Sequence, residues 1–390
     1  MKLAQVHVFF YPRMVGGAEW YVYNVSRYLA KKGHDVHVFT ADRYEGEQIG
    51  LSEEEIEGVK VHRVPLWLDL TYRVKIWKGL RKRLVNGGFD LIHTYDYGQL
   101  HSYIAANAAA NMGIPVALTI FDVHSLIPRA YYKTVAMAGF DKIFARHVFR
   151  NSTKILLRAP NLLEAILNMG ADRSKVHVTP SGIVDESLKS ADGNMFISKF
   201  SLNGSPVVLY LGRLHPSKGL QHIVAAVPRI LEAYPDALFV FVGPDHSNHK
   251  KQLVKQAETL SVADHVAFTG PVYDFQTKMQ AYASADVFTL PSSYEGTSQA
   301  VFEAMSQARP IVTTNRGGIP FQVRHGKEAL HVNYGDVAKL ATSIIHLLGN
   351  RRFASKLGEN ARRRVRKFAY SVLVKHLEEI YQEMLGKTDG

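Results

Sequence analysis

Short apolar runs that end in glycine or a polar turn recur along the whole sequence, with amphipathic helical stretches between them. Strands that alternate with amphipathic helices place the chain in the α/β class. In the first half the predicted strands are Leu3 to Phe10, Val36 to Thr40, Val59 to Val64, Asp90 to Thr94, Pro115 to Phe121, Lys154 to Leu157 and Val176 to Val178. A basic helix is predicted from about Tyr72 to Leu84, after a polar, acidic stretch through Glu57. The second half restarts the alternation at Pro206 to Leu211 and continues through Leu238 to Val242, Val266 to Thr269, Ala285 to Leu290 and Pro310 to Thr314. Two doubly wound domains facing each other across a cleft are therefore expected, with ligands at the carboxyl ends of the strands. The polar stretch Glu186 to Asn203 is the linker candidate. The expected domains are 1–187 and 188–369, with a C-terminal helix, about 370–390, packing back on the first.

The stretch Pro291 to Met305 concentrates the chemistry. A strand ends, Gly296 turns the backbone, Thr297 or Ser298 can cap a helix, and Glu295 and Glu303 flank the turn. A helix start offers unpaired N–H groups and a positive dipole end, which suit phosphates or hydroxyls. Arg213 and Lys218 stand in the loop Gly212 to Gly219 at another strand end, placed to hold a diphosphate without a metal. Gly243 ends a further strand. In the first half, Gly16 and Gly17 leave room for a ligand against the backbone, and Asp122 and His124 can take a proton or fix a sugar hydroxyl.

Other chemistries lack their signatures. There is no cysteine, hence no disulfide and no thiolate. No two aspartates are separated by a single residue, and neither G-x-G-x-x-G nor G-x-x-x-x-G-K-[ST] occurs. Asp245-His-Ser-Asn-His249 reads as a solvated loop rather than a metal site, so no cofactor is expected.

Taken in order, Gly16-Gly17-Ala-Glu19, Pro180-Ser-Gly-Ile-Val-Asp185, Gly212-Arg213 with Lys218-Gly219, Gly243, Glu295 with Glu303, and Gly317-Gly318 resemble retaining glycosyltransferase family 4. The resemblance spans roughly residues 1 to 330 and implies a GT-B fold. It implies that the second domain binds a nucleoside-diphosphate sugar and the first an acceptor. Arg213 and Lys218 would then neutralise the leaving diphosphate, and Glu303 would bond the ribose. Glu295, with the backbone N–H groups at Gly296, Thr297 and Ser298, would hold the donor sugar. The loop from Gly270 to Tyr273, with Val272, would border the base, and Gly17 would approach the phosphates. Family members often carry histidine then aspartate after the strand matching Val116 to Ile120. Here Phe121-Asp122 fill that place and the histidine comes at His124.

The sequence opens directly on a strand and contains no apolar run of membrane-spanning length, so a soluble cytoplasmic protein is expected. Its net charge of +12 points to acidic partners. The segment Arg73 to Leu84 holds six basic residues and no acidic one, which fits either a solvated helix face or contact with an anionic membrane carrying a lipid-linked acceptor. No nucleic-acid-binding module accompanies the charge. The expected activity is metal-independent transfer of a sugar from a UDP- or GDP-sugar to a glycan or lipid-linked hydroxyl. A non-catalytic sugar or nucleotide binding protein and a dinucleotide oxidoreductase are the alternatives.

Overall fold

A computed structural model describes residues 1–13, 17–44, 46–69, 75–123, 144–180, 182–202, 206–245 and 247–386. The chain divides into two units, Met1–Gly182 with Tyr370–Gly390, and Ile183–Ala369.

The first unit is built on an eight-stranded sheet with Lys2–Val6 inside it. Asp35–Ala41 and Val59–Val64 step away to one side, and Leu91–Tyr95, Val116–Ile120, Lys154–Leu157 and Val176–Val178 to the other, all in parallel. The short edge strand Glu53–Ile56 pairs antiparallel with Val59–Val64. It lies in the acidic stretch expected as mere connection. Its Glu54 meets the Nε of the buried Arg63 at 2.9 Å, giving a charged strand a fixed partner.

The second unit holds six parallel strands. Val207–Leu211 is flanked by Leu238–Val242 and then Val266–Gly270 on one side, and by Val287–Leu290, Ile311–Thr314 and Leu330–Val332 on the other. Leu238–Val242 is buried at every residue, as a strand covered on both faces must be. The chain direction across the sheet reverses between Val207–Leu211 and Val287–Leu290, where Val208 faces Val287. In open α/β sheets such a reversal splits the helices onto opposite faces and leaves a crevice at the carboxyl ends of the two strands.

The helix expected from Tyr72 to Leu84 is not formed as one element. Leu66–Asp69 and Lys75–Trp77 pair as an antiparallel hairpin, and a helix covers only Leu80–Asn86, after Gly79 at φ 82°. Burial alternates along Lys75, Ile76 and Trp77, a period of two rather than 3.6. Lys75 is buried because it pairs with Asp69 and lies 5.2 Å from the Phe9 ring centre. Residues 70–74 lie outside the described residues.

The C-terminal helix Tyr370–Met384 belongs to the first unit. Tyr370 meets Tyr28 of helix Gly17–Lys31 with ring centres 5.7 Å apart, Glu378 binds His34 at 2.7 Å, and the Tyr381 hydroxyl lies 2.6 Å from His93 Nδ1. No helix among the described residues is long and apolar enough to cross a membrane.

Candidate active site

The crevice of the second unit is bounded by the loops that follow Leu211 and Leu290. In the first of these, the Tyr210 hydroxyl donates to the Arg213 carbonyl at 2.7 Å, and His215 Nδ1 accepts from the Ser217 N–H at 3.2 Å. The single turn Pro216–Lys218 then closes at Gly219, φ 76°. A methyl group at Gly219 would meet the Pro291 carbonyl oxygen at 2.1 Å, so only glycine lets the two loops touch. Ser293 N–H donates to the Ser217 carbonyl at 2.8 Å. Lys218 and Glu295 are thereby brought together: Nζ stands 2.7 Å from Oε1, both side chains largely buried. The Arg213 side chain is exposed in the same loop.

The second loop is held from the strand beyond it. Gly318 N–H donates to the Glu295 carbonyl at 2.8 Å, and at Gly317, φ 60°, a methyl group would lie 2.0 Å from that oxygen. Ser298 caps helix Gln299–Ser306, its hydroxyl accepting from Val301 N–H. The Gln322 side-chain amide spans the backbone of Ser298, accepting from its N–H and donating to its carbonyl, each at 2.8 Å. The Ser298 N–H is thus committed within the protein, whereas Gly296 and Thr297 are half-buried at the loop's surface.

Glu303, on the same helix, is buried and bound at both oxygens: Lys278 Nζ lies 2.6 Å from Oε1 and the Tyr282 hydroxyl donates to Oε2 at 2.9 Å. Both partners come from helix Phe275–Ser284, just beyond the half-buried Val272. Burial, and then the Glu303 charge, holds the Tyr282 hydroxyl protonated, well above its usual pKa. Tyr210 is raised likewise, first by burial and then by Glu295. Burial, then Arg213 and Lys218, lowers the His215 pKa, so this imidazole stays neutral between two cations. Gly243 ends its strand against the first loop, where a methyl group would lie 1.9 Å from the Gly212 carbonyl oxygen. Asp245 caps helix His249–Thr259 by accepting from the His249 and Lys250 N–H groups.

The site is therefore two cations, a carboxylate held by one of them, and a second carboxylate clamped nearby in sequence, all on loops and a helix start at one switch point. Sequence alone did not single out Lys278 and Tyr282, which clamp Glu303; Phe321-Gln322 stood out only as a departure, where many family members carry a glutamate near Pro320. The paired motifs of the two halves match known families in the same order: residues 15–187 match Glycosyltransferase Family 4, and residues 194–364 match Glycosyl transferases group 1. The chain belongs to glycosyltransferase family 4.

This family 4 glycosyltransferase is 26% identical to an uncharacterized glycosyltransferase of Methanocaldococcus jannaschii, over 99% of this chain and all of the relative. It is 28% identical to a GDP-mannose-dependent alpha-mannosyltransferase of Mycolicibacterium smegmatis, over 99% of this chain and 98% of that one. A structure of Anabaena HepE in complex with UDP superposes with a TM-score of 0.79 at 18% identity, covering 98% of this chain and all of that one. The fold of the glycosyltransferase is GT-B, with two Rossmann-like domains.

In its first unit, Gly17 begins helix Gly17–Lys31 with open space beside its α-carbon. Gly16 and His124 lie outside the described residues. Asp122 follows Val116–Ile120, its Oδ1 accepting from the Val123 N–H at 2.9 Å. Arg158, which no motif singled out, stands at the next strand end within electrostatic reach of Asp122 and Asp96, its guanidinium carbon 5.1 Å from the Phe121 ring centre.

Proposed function

We propose that this enzyme moves a sugar from a nucleoside-diphosphate sugar to a hydroxyl of a glycan or lipid-linked acceptor, with retention and without a metal. The observation that carries the reading is the Lys218–Glu295 pair at the switch point, with Arg213 in the same loop. A diphosphate entering the crevice offers Lys218 a stronger anionic partner, and Arg213 a second contact. Glu295 then turns its oxygens to the sugar hydroxyls. Glu303, held by Lys278 and Tyr282, keeps lone pairs for the ribose diol.

As the bond from the sugar's anomeric carbon to the β-phosphate oxygen breaks, charge accumulates on that oxygen, and the two fixed cations stabilise it. The acceptor oxygen bonds to the same face of the carbon, and its proton passes to the departing phosphate oxygen. The first unit, with Asp122 and Arg158 at adjacent strand ends, presents the acceptor. A relative named for GDP-mannose and a neighbour that holds UDP support a nucleoside diphosphate, with uracil or guanine as base.

The test is nucleoside diphosphate release from UDP-, GDP- and ADP-sugars in the presence of EDTA, beside Glu295→Ala. The reading requires release by the wild type with one base preferred, little by Glu295→Ala, and a rise in melting temperature with that diphosphate but not with NAD. A melting shift without turnover on a wide acceptor panel would make the chain a non-catalytic binding protein. No shift with any diphosphate would overturn the reading altogether.

A further inference from the structure

We propose that the hairpin Leu66–Asp69 with Lys75–Trp77, together with the cations that follow it, is a docking surface for an anionic lipid bilayer. The inference is independent of the transferase chemistry, because it uses none of the residues assigned to the donor or the acceptor.

The hairpin has an outer side that its own register makes apolar. Leu66 faces Trp77 and Leu68 faces Ile76, and residues opposite each other in an antiparallel pair point to one side of the sheet. Leu66 and Trp77 are buried. One step along, Ile76 must point outward, and so must Leu68, although regular alternation from Leu66 would turn it in. A bulge between Leu66 and Leu68 absorbs the mismatch and leaves Trp67 outward as well. Trp67 is 71% exposed, Leu68 43% and Ile76 37%. Three large apolar side chains thus share one outer side of a two-stranded ribbon, a place where water gains nothing from them.

Charge chooses the occupant. Asp69 is the only acid on the ribbon, and Lys75 neutralises it on the inner side. Lys78, Arg81 and Lys82 follow at exposed positions, and no acidic residue occurs between Asp69 and Asp90. Arg81 also borders a recess of about 380 Å³ with Trp77, Tyr103, Asn107 and Asn111, which puts a guanidinium and two amides near the base of the hairpin. A second copy of the chain, docked about a two-fold axis, would set these cations against their own images. A bilayer with anionic headgroups satisfies both parts: the apolar side chains enter the interface, where tryptophan is favoured, and the cations stay among the phosphates.

The test is flotation of the full chain with phosphatidylcholine vesicles, with and without phosphatidylglycerol, in low and high salt. The wild type is expected to float only with phosphatidylglycerol and to be released by salt. Trp67→Ser should weaken binding by roughly tenfold. The triple reversal Lys78→Glu, Arg81→Glu, Lys82→Glu should weaken it by more than about a hundredfold, at about fivefold for each cation lost. Both variants should keep the wild-type melting temperature. Trp67→Phe should remove the blue shift of tryptophan emission on vesicles, since Trp77 is already buried and Trp20, the third tryptophan, lies on helix Gly17–Lys31 outside the hairpin. Failure of the wild type to float at low salt, or equal flotation of the variants, would overturn the proposal. So would a concentration-dependent dimer that Trp67→Ser dissociates without any vesicle binding, which would assign the surface to a second copy.

Discussion

Lys218 Nζ and Glu295 Oε1 stand 2.7 Å apart although 77 residues separate them in the chain. The pair joins the two loops of the switch point, so each member sets the other's position as well as its own chemistry. Lys218→Ala is expected to lower kcat/KM for the donor by about 10²- to 10³-fold, the usual cost of removing one charge-stabilising donor. Because the two act as a unit, Lys218→Ala with Glu295→Ala should fall well short of the product of the single effects. Nucleoside diphosphate release by the four proteins of this cycle checks it; full additivity would sever the pair's functional link.

Glu303 depends on Lys278 and Tyr282 for its orientation. Lys278→Met should therefore raise the donor KM by roughly tenfold, the value of a hydrogen bond to a charged group, and leave kcat nearly unchanged. Tyr282→Phe should act in the same direction. Wild type should also bind a ribonucleoside diphosphate better than its 2′-deoxy form, and Lys278→Met should lose much of that preference. Calorimetric titration with the two diphosphates measures it, and a variant with unchanged preference would refute the clamp.

Gly219→Ala places a methyl group 2.1 Å from the Pro291 oxygen in a left-handed conformation. The conformation costs about 1–2 kcal/mol and the forced displacement about 1–3 kcal/mol more. The expected loss is therefore about 2–5 kcal/mol in unfolding of the second unit, with donor binding weakened because the loops are pushed apart. Urea unfolding followed by circular dichroism and a donor titration read the two effects separately.

Buried His93 has its pKa pushed down to about 3 by desolvation. The unfolded chain protonates such a histidine near pH 6.5, so its contribution to stability is complete above that pH and is lost as pH falls towards 3. The loss is about 1.4 kcal/mol per pH unit for this one group. His93→Gln should flatten the acid slope by that amount between about pH 6 and 5. All three tryptophans, Trp20, Trp67 and Trp77, lie in the first unit, so their fluorescence in urea titrations reports the unit that contains His93.

The strands and the loops that end them were legible in the sequence because parallel strands bury both faces and end where glycine or a polar turn begins. Arg213, Lys218 and Glu295 could be named for the same reason, since each lies in the loop that follows such a strand. The hairpin at Leu66–Trp77 was not legible: its apolar and basic residues fit a helical repeat as well as an alternating one, and only the burial of Lys75 against Asp69 and Phe9 decides between them. Nor was the clamp on Glu303, because Lys278 and Tyr282 look like ordinary residues of an amphipathic helix. Gln322 reaches Ser298 across 24 residues, and no local pattern signals that a glutamine will bridge a helix cap.

The helix Tyr370–Met384, packed on Gly17–Lys31 and stitched to His34 and His93, bears on the order of assembly during synthesis. The second unit is one unbroken segment and can close as soon as residue 369 leaves the ribosome. The first unit, though translated earlier, must wait with a groove along Gly17–Lys31 uncovered until the helix arrives. The unit made first is thus the last to be finished, and a nascent chain halted after residue 369 would carry a complete second unit beside a first one still exposed to chaperones and proteases.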